Sequence, residues 1–367
     1  MRTVVLGGTG NFGSRICRAL ADDSEMEVIA ASRHPERTPK PFQDLRIRQV
    51  ALDLASADFS AALRRLAPGI VIHCAGPFQK QDYRVARAAI AAGAHYLDLS
   101  DGREFVARFA EHNDAAAREA KVCAISGAST LPALSSAVID SMARRLYKVD
   151  EIQVAIAPGQ RAPRGAATVA AVLGYAGRPF RWLSGGVWTD VWGWQELRRV
   201  RFEGLGARWG AACDVPDLEL FPEWYPGVKT VEFRAALELT LEQIALWIVA
   251  ALRRGGMPVP IERWGRALDF MATLLGGLGS KRGGMLVSFL GSRAGGSKVR
   301  VEWHLTADAN HGPEIPCMGA LLLARKLARG DTLPRGAFPC LGFLKLEEFE
   351  SEFAKWKIST VLKERDA

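Results

Sequence analysis

Val4-Val5-Leu6-Gly7-Gly8-Thr9-Gly10-Asn11-Phe12-Gly13 is the stretch on which the reading of this chain turns. An apolar run enters Gly-x-Gly-x-x-Gly, and a helical pattern follows at once. That spacing gives each glycine a physical task. Gly8 lets the backbone turn tightly out of a strand. Gly10 leaves room for a pyrophosphate, and Gly13 lets the new helix approach the sheet. The amides at the start of that helix favour an anion, with the helix dipole in support. A glycine-rich turn alone is a common strand-to-helix connection. Between a legible strand and a legible helix it predicts a nucleotide cradle.

Working outward, apolar strands alternate with amphipathic helices as far as residue 147. Strands are expected at 3–6, 27–31, 47–51, 70–74, 96–99 and 122–126, and helices at 11–21, 57–66, 83–92, 103–120 and 131–146. Short Val/Ile/Leu runs suit strands buried on both faces. The alternation predicts an α/β fold: an N-terminal Rossmann domain with a doubly wound parallel sheet. Ligands then gather at the carboxyl ends of the strands, so the loops there are the candidate site.

After the second strand stand Ser32 and Arg33, where an NAD-binding fold usually carries Asp or Glu. A carboxylate would repel a 2′-phosphate, whereas a hydroxyl and a guanidinium would hold it. The expected cofactor is therefore NADP. Asp53 and Leu54 follow the third strand, placed either to meet adenine or, for Asp53, to cap the next helix. Ala75, Gly76 and Pro77 follow the fourth, where small residues admit the inner ribose and nicotinamide. His73 precedes that loop and reads better as a core histidine than as a proton donor. Asp98 and Asp101 lie near the fifth strand end, with Asp101 also a candidate helix cap. Ser126 and Ser129 lie in the loop after the sixth, near the nicotinamide and a substrate oxygen.

These landmarks together resemble the saccharopine dehydrogenase-like, NADP-binding oxidoreductase superfamily. The resemblance rests on Gly-Gly-Thr-Gly-Asn-Phe-Gly at 7–13, Ala-Gly-Pro-Phe at 75–78, the helix and strand from Val85 to Ser100, and the small-residue loop from Ser126. It covers about the first 145 residues. It implies an NADP-dependent oxidoreductase with a Rossmann domain and an inserted α/β substrate domain. Carried over, Gly8, Gly10, Asn11, Phe12 and Gly13 would hold the pyrophosphate, and Ser32 and Arg33 the adenosine phosphate. Asp53 and Leu54 would meet the adenine, while Ala75, Gly76 and Pro77 would line the ribose and nicotinamide.

Beyond residue 147 the pattern changes to period two at 151–157, 230–237 and 298–305. That predicts a second α/β domain with a mixed or antiparallel sheet. Helices fit 166–175, 241–254 and 261–275. The expected division is a cofactor domain at 1–147, a substrate domain at 148–315, and C-terminal helices at 316–367, about 318–328 and 346–363, that pack back on the first domain. The loop 158–165 is the favoured substrate loop. Its Arg161 and Arg164 could bind a carboxylate or phosphate, against the plainer reading of solvated arginines. His304 and His311 are further candidate proton donors. Six tryptophans between Trp182 and Trp224 could line an aromatic pocket or pack a small core.

Composition narrows the function. The 367 residues are 49% hydrophobic and 24% charged, an ordinary globular balance. The net charge of +8 is not concentrated in any Lys/Arg run, so no nucleic-acid partner is expected. Six cysteines form no Cys-x-x-Cys pair, which predicts a reduced, cytoplasmic chain without structural zinc. No signal peptide is expected, and a membrane role is not indicated. The expected partner is a small-molecule substrate, with a homodimer as an option. Three functions compete. The first is NADP-linked hydride transfer to or from a C=N, C=O or C=C bond. The second is a short-chain dehydrogenase mechanism through Tyr225 and Lys229, rejected because Pro226-Gly227 forbids the helix that would align them. The third is a non-catalytic NADP-binding sensor or scaffold.

Overall fold

The computed structural model describes residues 1–37, 42, 46–79, 81–163, 169, 173–257 and 275–366. The chain forms two compact units: Met1–Leu134 with Pro313–Leu344, and Ser135–Gly312 with Lys345–Ala367.

In the first unit, the predicted strands are β1 (Arg2–Leu6), β2 (Glu27–Ser32), β3 (Ile47–Ala51), β4 (Ile70–His73), β5 (His95–Asp98) and β6 (Cys123–Ser126). One more, β15 (Gly336–Pro339), numbered by its place in the chain, pairs parallel with β6. Among the described residues the sheet has seven strands in the order β15-β6-β5-β4-β1-β2-β3. All of the neighbouring pairs are parallel. The order reverses between β1 and β4, which opens the crevice where such sheets bind ligands. Val4, Val5 and Ile70–Ile72 are wholly buried, as strands covered by helices on both faces require. Helix α1 (Asn11–Ala21) buries Ile16, Cys17 and Leu20, one face of its 3.6-residue period. Helices α2 (Phe59–Arg65) and α3 (Arg84–Ala91) fall within the predicted segments. The single helix expected at 103–120 is two, α4 (Arg103–Ala107) and α5 (Phe109–Glu119), separated at Arg108.

The second unit is built on a mixed sheet. Its strands are β7 (Lys148–Ala157), β8 (Pro179–Ser184), β9 (Val187–Trp192), β10 (Arg198–Phe202), β11 (Gly206–Ala212), β12 (Thr230–Ala235), β13 (Gly283–Ser292), β14 (Lys298–Ala307) and β16 (Ile358–Asp366). Their main path is β10-β11-β12-β7-β13-β14-β16, with β8 on β12 and β9 on β8. Among the described residues only β12 and β7 run parallel; the other strand pairs are antiparallel. Helix α6 (Ser135–Ala143) begins this unit and follows an irregular turn at Thr130–Leu134, where Leu131 is extended.

Two expectations need correction. The last predicted helix ends at Phe353, and the chain then forms β16, which pairs with β14 from Ala307↔Ile358 to Val299↔Asp366. The open edge of β14 needs a hydrogen-bonding partner, and that requirement overrides the helix propensity of Lys363-Glu364-Arg365. The segment 316–367 is therefore shared: the helix Ile315–Ala328 and β15 belong to the first unit, and β16 to the second. The helices expected at 166–175 and 261–275 lie mostly outside the described residues.

Candidate functional site

The glycine-rich turn leaves β1 at the carboxyl edge of the first sheet. Its left-handed residue is Gly7, with φ +75°, so the tight turn assigned to Gly8 belongs one residue earlier. Gly8 serves close packing instead. A Cβ there would lie 2.8 Å from Ala30 Cα and 2.9 Å from Ala30 Cβ, on the adjacent strand. At Gly13 a Cβ would run into the Gly7 carbonyl, 2.8 Å from its carbon, so this glycine lets α1 press on the turn. Gly10 differs from both: a Cβ would meet only the Gly7 oxygen, at 3.1 Å, and otherwise open space. The amides of Gly7 and Gly8 donate to the Ala31 carbonyl at 2.9 and 3.1 Å. The Ser14 amide donates to Gly10 at 3.0 Å, so the amides of Phe12 and Gly13 lie ahead of the first helical bond, where anions bind.

Ser32 ends β2 on the same edge, one position past the Leu6↔Ala31 pair, and Arg33 follows it. The Ser32 hydroxyl is buried and has no hydrogen-bond partner among the described residues. Arg33 is exposed and makes no ion pair among the described residues. An orphaned hydroxyl is costly unless a ligand satisfies it, and a nearby guanidinium defines an anionic one. Next to them, Asp53 accepts from the Ala55 amide at 3.0 Å and does not cap α2, whose N-cap is Asp58. Leu54 is half-buried against the core.

On the other side of the crevice, the Cys74 amide donates to Leu6 O at 2.9 Å. The following loop lies against the glycine turn: a Cβ on Gly7 would be 3.1 Å from Ala75 N. Ala75 and Gly76 are half-buried, and Pro77 is exposed after a cis Gly76–Pro77 bond. Gln81, which the sequence reading missed, holds this loop: its side-chain amide donates to Ala75 O at 2.8 Å and Pro77 O at 3.0 Å. No local pattern announces such a contact.

Behind the loop lies a buried polar chain. His73 is 1% exposed, with Nδ1 3.1 Å from the Tyr96 hydroxyl. Burial pushes its pKa down to about 4, so it is neutral at ordinary pH. Asp98 is fully buried, and its Oδ1 accepts from Ser100 N at 3.0 Å, Ser126 Oγ at 3.0 Å and Gly127 N at 2.8 Å. Burial raises its pKa to about 6 in spite of those bonds. Asp101 is exposed, accepts from Gln79 at 3.1 Å, and caps nothing; Gly102 is the N-cap of α4. Ser129 is 9% exposed in the loop that Asp98 anchors.

The second-unit candidates are engaged elsewhere. The Arg161 guanidinium donates to Gly277 O at 3.1 Å. Arg164 lies outside the described residues. His304 Nδ1 accepts from Glu203 N at 3.2 Å, and His311 Nδ1 from Lys357 N at 3.0 Å. Trp182 and Trp194 are buried while Trp188 and Trp224 are exposed, so the six indoles do not face one way. Four of the six, Trp182, Trp188, Trp192 and Trp209, carry an arginine over the ring. Tyr225 ends a helix, and its hydroxyl donates to Asp140 at 2.8 Å. Gly227 has φ +88°, so no helix joins Tyr225 to Lys229. All six cysteines are free. Among the described residues, no cluster of three His, Cys, Asp or Glu could hold a metal, and no helix is long and apolar enough to cross a membrane.

A parallel core in the order β3-β2-β1-β4-β5-β6, with a glycine-rich turn after β1, defines the dinucleotide-binding class of α/β proteins. Residues 3–157 match the family model described as the saccharopine dehydrogenase NADP binding domain. No curated protein matches the chain. Among solved structures, it is similar to apo saccharopine dehydrogenase (L-Glu forming) from Saccharomyces cerevisiae, with 12% identity, TM-score 0.68, and 99% of each chain covered. It is also similar to a homospermidine synthase from Legionella pneumophila in complex with NAD, with 10% identity, TM-score 0.64, and coverage of 100% of this chain and 92% of that one. An amine dehydrogenase from Mycobacterium smegmatis aligns at 12% identity and TM-score 0.51, over 92% and 94%. These likenesses extend the fold across both units.

Proposed function

We propose that this chain is an NADP-dependent oxidoreductase that transfers hydride to or from a C=N, C=O or C=C bond of a small molecule. The observation that carries the choice of cofactor is the buried, unpartnered Ser32 hydroxyl beside exposed Arg33, on the sheet edge that holds the glycine turn. An NAD-type site would carry a carboxylate there. The coarser assignment, an NAD(P)-dependent oxidoreductase, has the support of the family match and of the dehydrogenase folds it resembles.

The residues fit the coenzyme in order along the edge. The turn at Gly7–Gly13 would hold the diphosphate, with room at Gly10 and amides at Phe12 and Gly13. Ser32 and Arg33 would grip the 2′-phosphate. Leu54 would flank the adenine, with one oxygen of Asp53 kept by Ala55. Ala75, Gly76 and Pro77 would border the nicotinamide ribose, and Ser126 and Ser129 the carboxamide and the substrate. Once bound, the nicotinamide supplies or accepts the hydride. The protein's task is to orient it, exclude water and stabilise developing charge.

A second reading, a non-catalytic NADP sensor or scaffold, draws on one fact. His73, His304, His311 and Arg161 are all committed to structural contacts. Calorimetric titration with both coenzymes separates the outcomes. Tighter NAD than NADP binding ends the 2′-phosphate assignment, and no saturable binding ends both readings. NADPH oxidation with any imine, carbonyl or enoyl substrate would exclude the sensor.

A further inference from the structure

The loop from Ser126 to Ser129 has no hydrophobic side chain to fix its shape apart from Ala128, yet it is buried throughout. Its shape comes from Asp98. One oxygen of that carboxylate receives the Ser126 hydroxyl and the Gly127 amide, and also the Ser100 amide from its own loop. The Asp98 carbonyl receives the Ala128 amide at 2.8 Å. Gly127 takes φ +78° at the centre of these bonds, a conformation that an anchored glycine adopts readily. From the far side, the helix Ile315–Ala328 presses on the loop: a Cβ on Gly319 would lie 2.7 Å from the Ala128 oxygen. We propose that Asp98 is a positioning residue, whose carboxylate holds residues 126–129 in the shape that meets the nicotinamide end of the coenzyme. This rests on the NADP reading above and adds a residue that touches neither coenzyme nor substrate.

The groups around Asp98 make its charge conditional. Tyr96 stands beside it on β5 and His73 is its register partner on β4, while Cys74 just after β4, Tyr83 just before α3 and Cys340 just after β15 interact with it electrostatically. His73 is neutral, and burial pushes the Cys74 and Cys340 thiols up. The carboxylate is thus stabilised by hydrogen bonds rather than by a cation. Its pKa of about 6 brings protonation within reach of mild acid. A protonated Asp98 loses the charge that strengthens its bonds to Ser126 and Gly127, and the loop relaxes.

The test measures NADPH affinity from pH 8 to pH 5 for the wild-type chain, Asp98→Asn and Ser126→Ala, with circular dichroism to verify folding. The 2′-phosphate titrates in the same range, so the quantity read is the ratio of wild-type to variant affinity at each pH. The expected ratio for Asp98→Asn is about tenfold at pH 8, as for loss of a charge-assisted bond, closing towards one at pH 5. Ser126→Ala is expected to lose affinity about threefold at pH 8, also closing at pH 5; this variant decides the matter if Asp98→Asn does not fold. A ratio within twofold at pH 8, or one constant from pH 8 to pH 5, overturns the proposal. Failure of the wild-type chain to bind NADPH at any pH instead overturns the NADP reading itself.

Discussion

Two alanine substitutions in one turn should fail in different ways. At Gly13 the added methyl would sit 2.8 Å from Gly7 C and 2.9 Å from Gly8 Cα, well inside ordinary contact. Both neighbours are backbone, so α1 or the turn must move. Forcing a methylene into a close-packed site costs about 1–3 kcal/mol, and replacing helical glycine by alanine returns up to about 1 kcal/mol. The net expectation is a loss of about 2 kcal/mol, or roughly 4–8 °C in melting temperature for a unit of this size. At Gly10 the backbone has φ −76° and ψ 177°, open to alanine, and the methyl meets one oxygen at 3.1 Å. Stability should fall by less than about 1 kcal/mol. The methyl would occupy the space left for the diphosphate, so NADP affinity should fall more than tenfold. Urea unfolding without ligand and calorimetry with NADP measure both quantities. A Gly10→Ala chain that binds like wild type would refute the cradle, and a Gly13→Ala chain as stable as wild type would refute the packing argument.

Three further outcomes are expected. Arg33→Ala should weaken NADP binding by about 10- to 100-fold, the worth of a charge-assisted contact, and leave NAD binding within a few-fold; calorimetry with both coenzymes decides. For Asp98, the folded pKa of about 6 lies above its usual 3.8, so its stabilising contribution is complete below pH 4 and is lost as pH rises through 6. The stability of Asp98→Asn relative to wild type should therefore rise by about 3 kcal/mol between pH 3 and pH 7, and parallel pH profiles in urea unfolding would contradict this. Phe109 is wholly buried and stacks on Tyr96 with ring centroids 5.7 Å apart, so Phe109→Ala should cost about 3–5 kcal/mol, read from the unfolding of the first unit.

The second of those expectations sets stability against function at one residue. Neutral asparagine removes the cost of a buried charge and, on the positioning role proposed for Asp98, loosens the loop at 126–129. Binding sites retain groups that a stability optimum would discard.

The central strands of the nucleotide half, β1, β2, β4 and β6, were legible because each is a short apolar run bounded by turn residues, and burial on both faces demands that pattern. The candidate residues of the edge were legible for the same reason: Gly10, Ser32 and Arg33 follow directly on the ends of β1 and β2, so their place in the chain is their place on the sheet edge. Three kinds of feature escaped. β15 is Gly-Ala-Phe-Pro, too short and too mixed to show a period, and it is a strand because β6 offers it an edge. β16 ends in helix-forming charged residues and is extended because β14 needs a partner. β8 to β11 hide behind arginines and tryptophans whose rings and guanidinium groups cover one another. At the site, Asp98 reads as an edge acid, and only the fold brings Ser126 to it across 28 positions. The 7–13 turn likewise conceals which of two adjacent glycines takes the left-handed angle.

The late arrival of β15 bears on how the protein is made. The first sheet cannot close at β6 until the ribosome has released residues 135–312, the larger part of the second unit, and the helix that follows them. Until then the outer amides and carbonyls of Cys123–Ser126 stand bare, an inviting template for strands of other nascent chains. A chain truncated before residue 336 should be sticky even though every residue proposed to contact the coenzyme is present. Grafting this domain elsewhere would require carrying its distant last strand along with it.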